Sequence, residues 1–204
     1  PRFLYPEWQA LEKKENDPFV VANRMALYFW DSIPDNKLHE LVDKNQLSKK
    51  WQIESQADRM LKDPRTKAKF NDFLIHWLEM KTRELPTKNQ DIHKNFTPAL
   101  ALDLRRSLFR WIEKAVWEQD INWHDFLSMP TMEFNKRIAG YYNLSFQSDK
   151  NASGFSTVDS LNLGRHGLHT HPYLLASHSY AEESSPIHRG VFVSRKILGR
   201  SLRP

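Results

Sequence analysis

The sequence predicts an all-α fold, an irregular bundle of about eight helices. Three observations point there. Glycine is scarce, six in 204 residues, which argues against a sheet-and-turn architecture. Four times a capping residue is followed by proline: Asp17-Pro18, Asp63-Pro64, Thr97-Pro98 and Ser185-Pro186. A cap oxygen takes an orphan backbone N–H, and proline costs nothing at a first helical position where no hydrogen bond was due. Apolar residues also recur at the 3-4 spacing of a buried helical stripe.

Taken in order, Pro18 opens FVVANRMALYFW, a helix of about three turns. IPDNKLHELVDKN reads as a short helix from Pro34, and Ser48 is placed to cap KKWQIESQADRMLK. After Pro64, residues Phe70, Phe73, Leu74, Trp77 and Leu78 fall on one face. The segment after Pro98 runs to Gln119, with Leu104, Leu108, Trp111, Ile112, Ala115 and Val116 as its stripe. NWHDFLS gives a turn or two, and EFNKRIAGYYN a short helix. The composition from 144 to 165 shifts to Ser, Asn, Asp and Gly, predicting a loop. GLHTHPYLLASHS reads as helical with Pro172 inside it, and the last helix runs from Pro186 to Leu198 and stops at Gly199. No repeat or low-complexity tract is present.

Composition removes several function classes. Aromatics are 12% of the chain, with seven tryptophans, which suits a compact helical core. There is no cysteine, so disulfides, thiolate catalysis and covalent haem attachment within these residues are excluded. The net charge of +5 is a surface property, and no nucleic-acid-binding signature accompanies it. Apolar runs such as MALYFW are far too short to span a membrane. A start at Pro1 without an initiator Met reads as a processed product or a segment of something longer.

Five of the nine histidines fall between His166 and His188. On a helix His169 and His171 do not share a face. His171 and His178 are two turns apart, roughly 10 Å in rise, too far for one metal ion. No metal site is therefore expected. One imidazole suffices for a haem, and His171 and His178, flanked by Tyr173, Leu174 and Leu175, are the candidates. A Ser/His/acid set drawn from Ser177, Ser179, Ser184, Ser185, Glu182 and Glu183 lacks the strand-to-helix nucleophile elbow. The carboxylate pairs Asp31/Asp35 and Glu182/Glu183 sit where helix caps belong. No catalytic residue is assigned. From Arg165 onward six cations (Arg165, Arg189, Arg195, Lys196, Arg200, Arg203) face two acids, Glu182 and Glu183. Such a face suits an anionic partner: a haem propionate, an acidic docking surface or a polyanionic sugar. Arg165 and Arg189 each sit beside glycine, which predicts that at least one is a buried arginine bonded to carbonyls near a helix end.

These residues carry a resemblance. ANRMALYFWDSIPDNKLHEL and ADRMLKDPRTKAKFNDFLIHWL resemble the family called domain of unknown function 1592, through Trp30, Asp31, Pro34, Asp35, Arg59, Asp63, Pro64 and Arg65. FNKRIAGYYNL is similar to that family's closing motif, on Asn135, Arg137, Ile138, Ala139 and Tyr142. GRHGLHTHPYLLASHS and SSPIHRGVFVSRKILG resemble the companion domain of unknown function 1588, on Arg165, Gly167, Leu168, Thr170, Leu175, Ser177, Ser185, Pro186, Arg189, Gly190 and Leu198-Gly199. PRFLY resembles the end of a domain that usually precedes them. His166 and His169 depart from the pattern, and His188 stands at a variable position.

The resemblance implies a helical domain over 1–150 and a smaller one over 151–204. It further implies a piece of a large exported protein whose other modules carry haem c, in the periplasm or at the cell surface. The expected function is a structural or docking module of such a redox protein, with an extracellular polysaccharide-active domain or a cell-surface assembly subunit as alternatives. Its expected partners are haem-bearing domains of the same protein or its other chains. Haem c would come from flanking domains or a partner, contacted by His171, His178, Arg165 or Arg189. Trp30, Asp31, Pro34, Asp63, Pro64, Ser185, Pro186 and Gly190 are the expected structural motif.

Overall fold

A computed structural model describes residues 17–80, 84–119, 121–147 and 154–201. PRFLY and Arg203 lie outside the described residues. The chain divides into two compact units, Pro1–Trp77 and Leu78–Pro204. Among the described residues there are nine α-helices and one two-stranded sheet. The fold is thus mainly helical, and the all-α expectation needs correction for the sheet. No helix among the described residues is long and apolar enough to cross a membrane.

The first unit holds α1 (Pro18–Trp30), α2 (Asn36–Asp43), α3 (Lys50–Leu61) and α4 (Pro64–Trp77). Asp17 caps α1 by accepting the Phe19 N–H at 2.9 Å, and Asp63 does the same for Arg65 at the head of α4. Ser48 does not cap α3. That helix starts at Lys50, and Gln52 Oε1 reaches back to the Lys49 N–H at 3.0 Å. The core is Ala22, Met25, Ala26, Trp30, Leu38, Leu47 and Met60. On α4 the apolar spacing buries Leu74, while Phe73 is 54% exposed and stacks on Trp77 with ring centroids 5.6 Å apart.

In the second unit α5 (Pro98–Glu113) is the central element. Of the predicted stripe, Leu104, Leu108, Trp111, Ile112 and Ala115 are buried and Val116 is half-buried; Leu100 joins the buried face. Thr97 caps it through the Leu100 N–H. A π-helical turn, Lys114–Glu118, continues it. Then come α6 (Trp123–Ser128), β1 (Thr131–Asn135), α7 (Lys136–Tyr141) and β2 (Phe155–Asp159). β1 and β2 pair antiparallel, with Thr131 opposite Asp159 and Glu133 opposite Thr157. Strand β2 and the 3-10 turn Leu161–Leu163 occupy part of the segment expected to be loop. A second 3-10 turn, Leu168–Thr170, leads into α8 (Pro172–Ser177), and α9 (Pro186–Phe192) ends in a π turn, Val193–Ile197. Pro172 therefore opens a helix rather than interrupting one, and its cap is a histidine.

Two details hold this unit in register. Gly167 has φ +60, and its N–H donates to the Met129 carbonyl at 2.8 Å. A Cβ there would lie 1.9 Å from the Leu127 carbonyl oxygen. Glu133, 4% exposed, accepts from Lys114 Nζ at 3.1 Å and from the Thr157 hydroxyl at 2.5 Å. The π turn thus carries a lysine onto the sheet's one buried acid.

Candidate functional site

Two of the five histidines in the histidine-rich stretch, His171 and His178, flank one helix as its caps. His171 is fully buried at the head of α8, where its Nδ1 accepts the Tyr173 N–H at 3.2 Å. That bond leaves the proton of the neutral ring on Nε2, which donates to Ser107 Oγ at 3.2 Å. The Ser107 hydroxyl in turn donates to the Glu133 carbonyl at 2.5 Å. Every polar atom of this buried chain is used. His178 closes α8 at 2% exposure, its Nδ1–H donating to the Leu174 carbonyl at 2.8 Å and its ring 4.3 Å from that of Phe192. His171 has no unengaged ring lone pair, and both rings are buried.

Burial holds His171 far below an ordinary histidine, at about 3. The folded pKa is depressed, so between about pH 6.5 and 3 the unfolded chain binds a proton that the folded chain refuses. Stability then falls as pH drops, by about 1.4 kcal/mol per pH unit. We expect urea unfolding of this unit to give a free energy about 2 kcal/mol lower at pH 5 than at pH 7.5 from this residue alone. His171→Asn keeps an acceptor for Tyr173 N–H and removes the titration, so its pH slope should be flatter. Equal slopes in the two proteins would refute the assignment. The first unit titrates lower. Paired hydrogen bonds from Arg65 hold Asp63 at about 2, so its contribution is present above about pH 4 and lost as pH falls toward 2.

The signature of the first unit is a stacked cluster. Trp30 donates its indole N–H to the Met60 carbonyl at 3.2 Å, and the Arg59 and Arg65 guanidinium carbons lie 5.5 and 3.5 Å from the centroid of its ring. Asp35 caps α2 through Leu38 N–H and accepts two bonds from Arg59. Asp31 closes α1 with φ 50 and pairs with Lys69 at 2.7 Å. Pro34 is buried, while Pro64 holds the exposed first position of α4. In the second unit Asn135 caps α7 through Ile138 N–H and donates to the buried Asp103, whose carboxylate also pairs with Arg137. Ser185 caps α9 through His188 N–H at 3.3 Å, ahead of the exposed Pro186. At Gly190 a Cβ would meet nothing within 4 Å, so no close backbone approach explains that glycine.

Arg165 and Arg189 do come together. Both line a cavity of about 230 Å³ with Lys88, Tyr141, Tyr142 and Glu183. Ser160 positions Arg165 by accepting its N–H and by donating to its carbonyl. The carbonyl-bonded cation at a helix end is Lys88 instead. Its Nζ donates to Ala176 O at 3.0 Å in the last turn of α8, and to Ser179 Oγ at 2.7 Å and Tyr180 O at 2.6 Å just past it. Burial lowers the Lys88 pKa. Tyr142 stacks on Phe134 with centroids 5.7 Å apart and is hydrogen-bonded to Arg165. Burial raises both tyrosine pKa values, so these phenols are neutral. Asn89 and His93 tie the other rim to the loop at 181–182, through Ala181 O and Glu182 O. Arg195 and Arg200 are exposed, and Lys196 pairs with Glu79 at 3.0 Å. Nothing in the sequence singled out Lys88, which stands in a polar stretch without periodicity.

The family model PSD4, a protein of unknown function (DUF1592), matches residues 17–144. The chain belongs to this family. A second model, PSCyt3, also a protein of unknown function (DUF1588), matches residues 165–204. No curated protein and no solved structure matches. The PSD4 residues Trp30, Asp31, Asp35, Arg59, Asp63 and Arg65 build the stacked cluster. Near the end of the PSD4 segment Asn135 donates to Asp103 and Arg137 pairs with it. The PSCyt3 segment supplies His171, the α9 cap and both cavity arginines.

Proposed function

We propose that this chain is a structural and docking module of a larger exported, cytochrome-type protein and carries no reaction centre of its own. The observation that supports this reading is the fate of the signature side chains. Nearly all are spent on caps, ion pairs and stacking. The PSCyt3 name and the resemblance to exported haem c proteins support the setting, at the periplasm or cell surface. Haem c, in this reading, belongs to neighbouring modules or a partner, and contact runs over the surface rather than through His171 or His178.

The parent protein supplies the test. Replacing His171 or His178 with asparagine should leave its haem absorption bands and reduction potential unchanged. The separated chain should bind its haem-bearing remainder in trans on a sizing column. A spectral shift in either variant, or failure to reassociate, would overturn the reading. The alternatives, a polysaccharide-active domain or a cell-surface assembly subunit, have less support. Asp31 and Asp35 are engaged by Lys69 and Arg59, and Glu182 accepts from Asn89 at 3.0 Å.

A further inference from the structure

The cavity between α7, α8 and α9 is not absorbed by the docking reading. Its wall carries three cations, Lys88, Arg165 and Arg189, against one carboxylate, Glu183. Lys88 is committed to the carbonyls beyond α8. The two arginines are not committed in that way. The Nε atoms of Arg165 and Arg189 are buried and have no hydrogen-bond partner. Among the described residues neither guanidinium is paired with a carboxylate. A buried N–H left unmet costs about 1–3 kcal/mol, more on a charged group.

The unpaired guanidinium groups identify the chemistry. Adjacent N–H groups of a guanidinium form a fork that matches the two oxygens of a carboxylate. Glu183 in the same wall repels a dianion and can accept from a hydroxyl. Tyr141 and Tyr142 add neutral phenols beside apolar Leu175 and Phe96. The cavity's 230 Å³ falls below the roughly 300–1,000 Å³ of drug-sized pockets and far below what a haem needs. We infer that this cavity is a binding site for a small hydroxylated monocarboxylate, of the sugar-acid or hydroxy-acid kind, held by Arg165 and Arg189.

Isothermal titration of the full chain with sodium D-glucuronate tests this, with D-glucose and inorganic phosphate as comparators. One-to-one saturable binding of glucuronate is expected, weakened by salt and at least tenfold by Arg165→Gln or Arg189→Gln. Arg195→Gln, on the exposed π turn, should bind as the parent does. Nuclear magnetic resonance of the unmodified chain covers the case of a variant that does not fold, since the Tyr141 and Tyr142 ring signals should shift on titration. Absence of glucuronate binding, equal binding of glucose, or full affinity in both folded arginine variants would overturn the site. Tighter binding of phosphate would also overturn it, as an inorganic oxyanion site. None of these outcomes bears on haem spectra, so this site and the docking reading fail separately.

Discussion

Gly167→Ala is expected to cost the second unit about 3 kcal/mol or more, a large fraction of the roughly 5–15 kcal/mol that holds a typical domain folded. Two effects add. The left-handed φ of +60 is strained for any residue with a Cβ. The new methyl would also stand 1.9 Å from the Leu127 carbonyl oxygen and 2.1 Å from its carbon. That obstacle is backbone, so no side-chain rotation relieves it. Moving it would break the Gly167 N–H bond to Met129. Gly190→Ala provides the contrast, since that glycine is in a helix with nothing within 4 Å of its Cβ position. It should raise stability by about 0.5–1 kcal/mol through helix propensity. Urea unfolding of both variants checks the pair. Equal effects would mean that the close approach to Leu127 is wrong.

Lys114→Met is expected to destabilise the same unit by about 3 kcal/mol. It leaves the Glu133 carboxylate, 4% exposed, with only the Thr157 hydroxyl. Removing one member of a buried pair costs more than removing both, because the survivor keeps its desolvation penalty without its partner. The double change Lys114→Met with Glu133→Leu should therefore recover most of the loss. A double-mutant cycle in urea measures this. If the double variant is no more stable than the single one, the ion pair is not what holds the π turn against β1.

The elements legible in advance share one property: cause and effect lie within a few residues. Asp17, Asp63, Thr97 and Ser185 each cap a helix whose first residue is the next proline. His171-Pro172 is the same device, but imidazole is a rare cap, so the pattern passed as a proline inside a helix. Strand β1 has no sequence signal of its own, because five residues are too few to show alternation and its partner β2 lies across a polar segment. The histidines suggested ligands because composition does not show burial. Arg165 and Arg189 were drawn from the sequence as candidates, yet the role expected of one of them fell to Lys88.

The four proline-opened helix starts that follow Asp17, Asp63, Thr97 and Ser185, the stripe of α5 and the family signature could be read from residue order; the start expected at Pro34 lies instead at Asn36, where Asp35 is the cap. A cap oxygen, a proline and a 3.6-residue period act over distances that the chain itself sets. Which cation is satisfied and which is left with a buried unmet N–H could not be read so. That depends on residues such as Lys88 and Ala176, or Tyr142 and Arg165, which meet only after packing. Burial and pairing are properties of the folded neighbourhood, and desolvation acts only once that neighbourhood exists. The same holds for Gly167, since no local signal reports that the Leu127 backbone will occupy the space of its missing side chain.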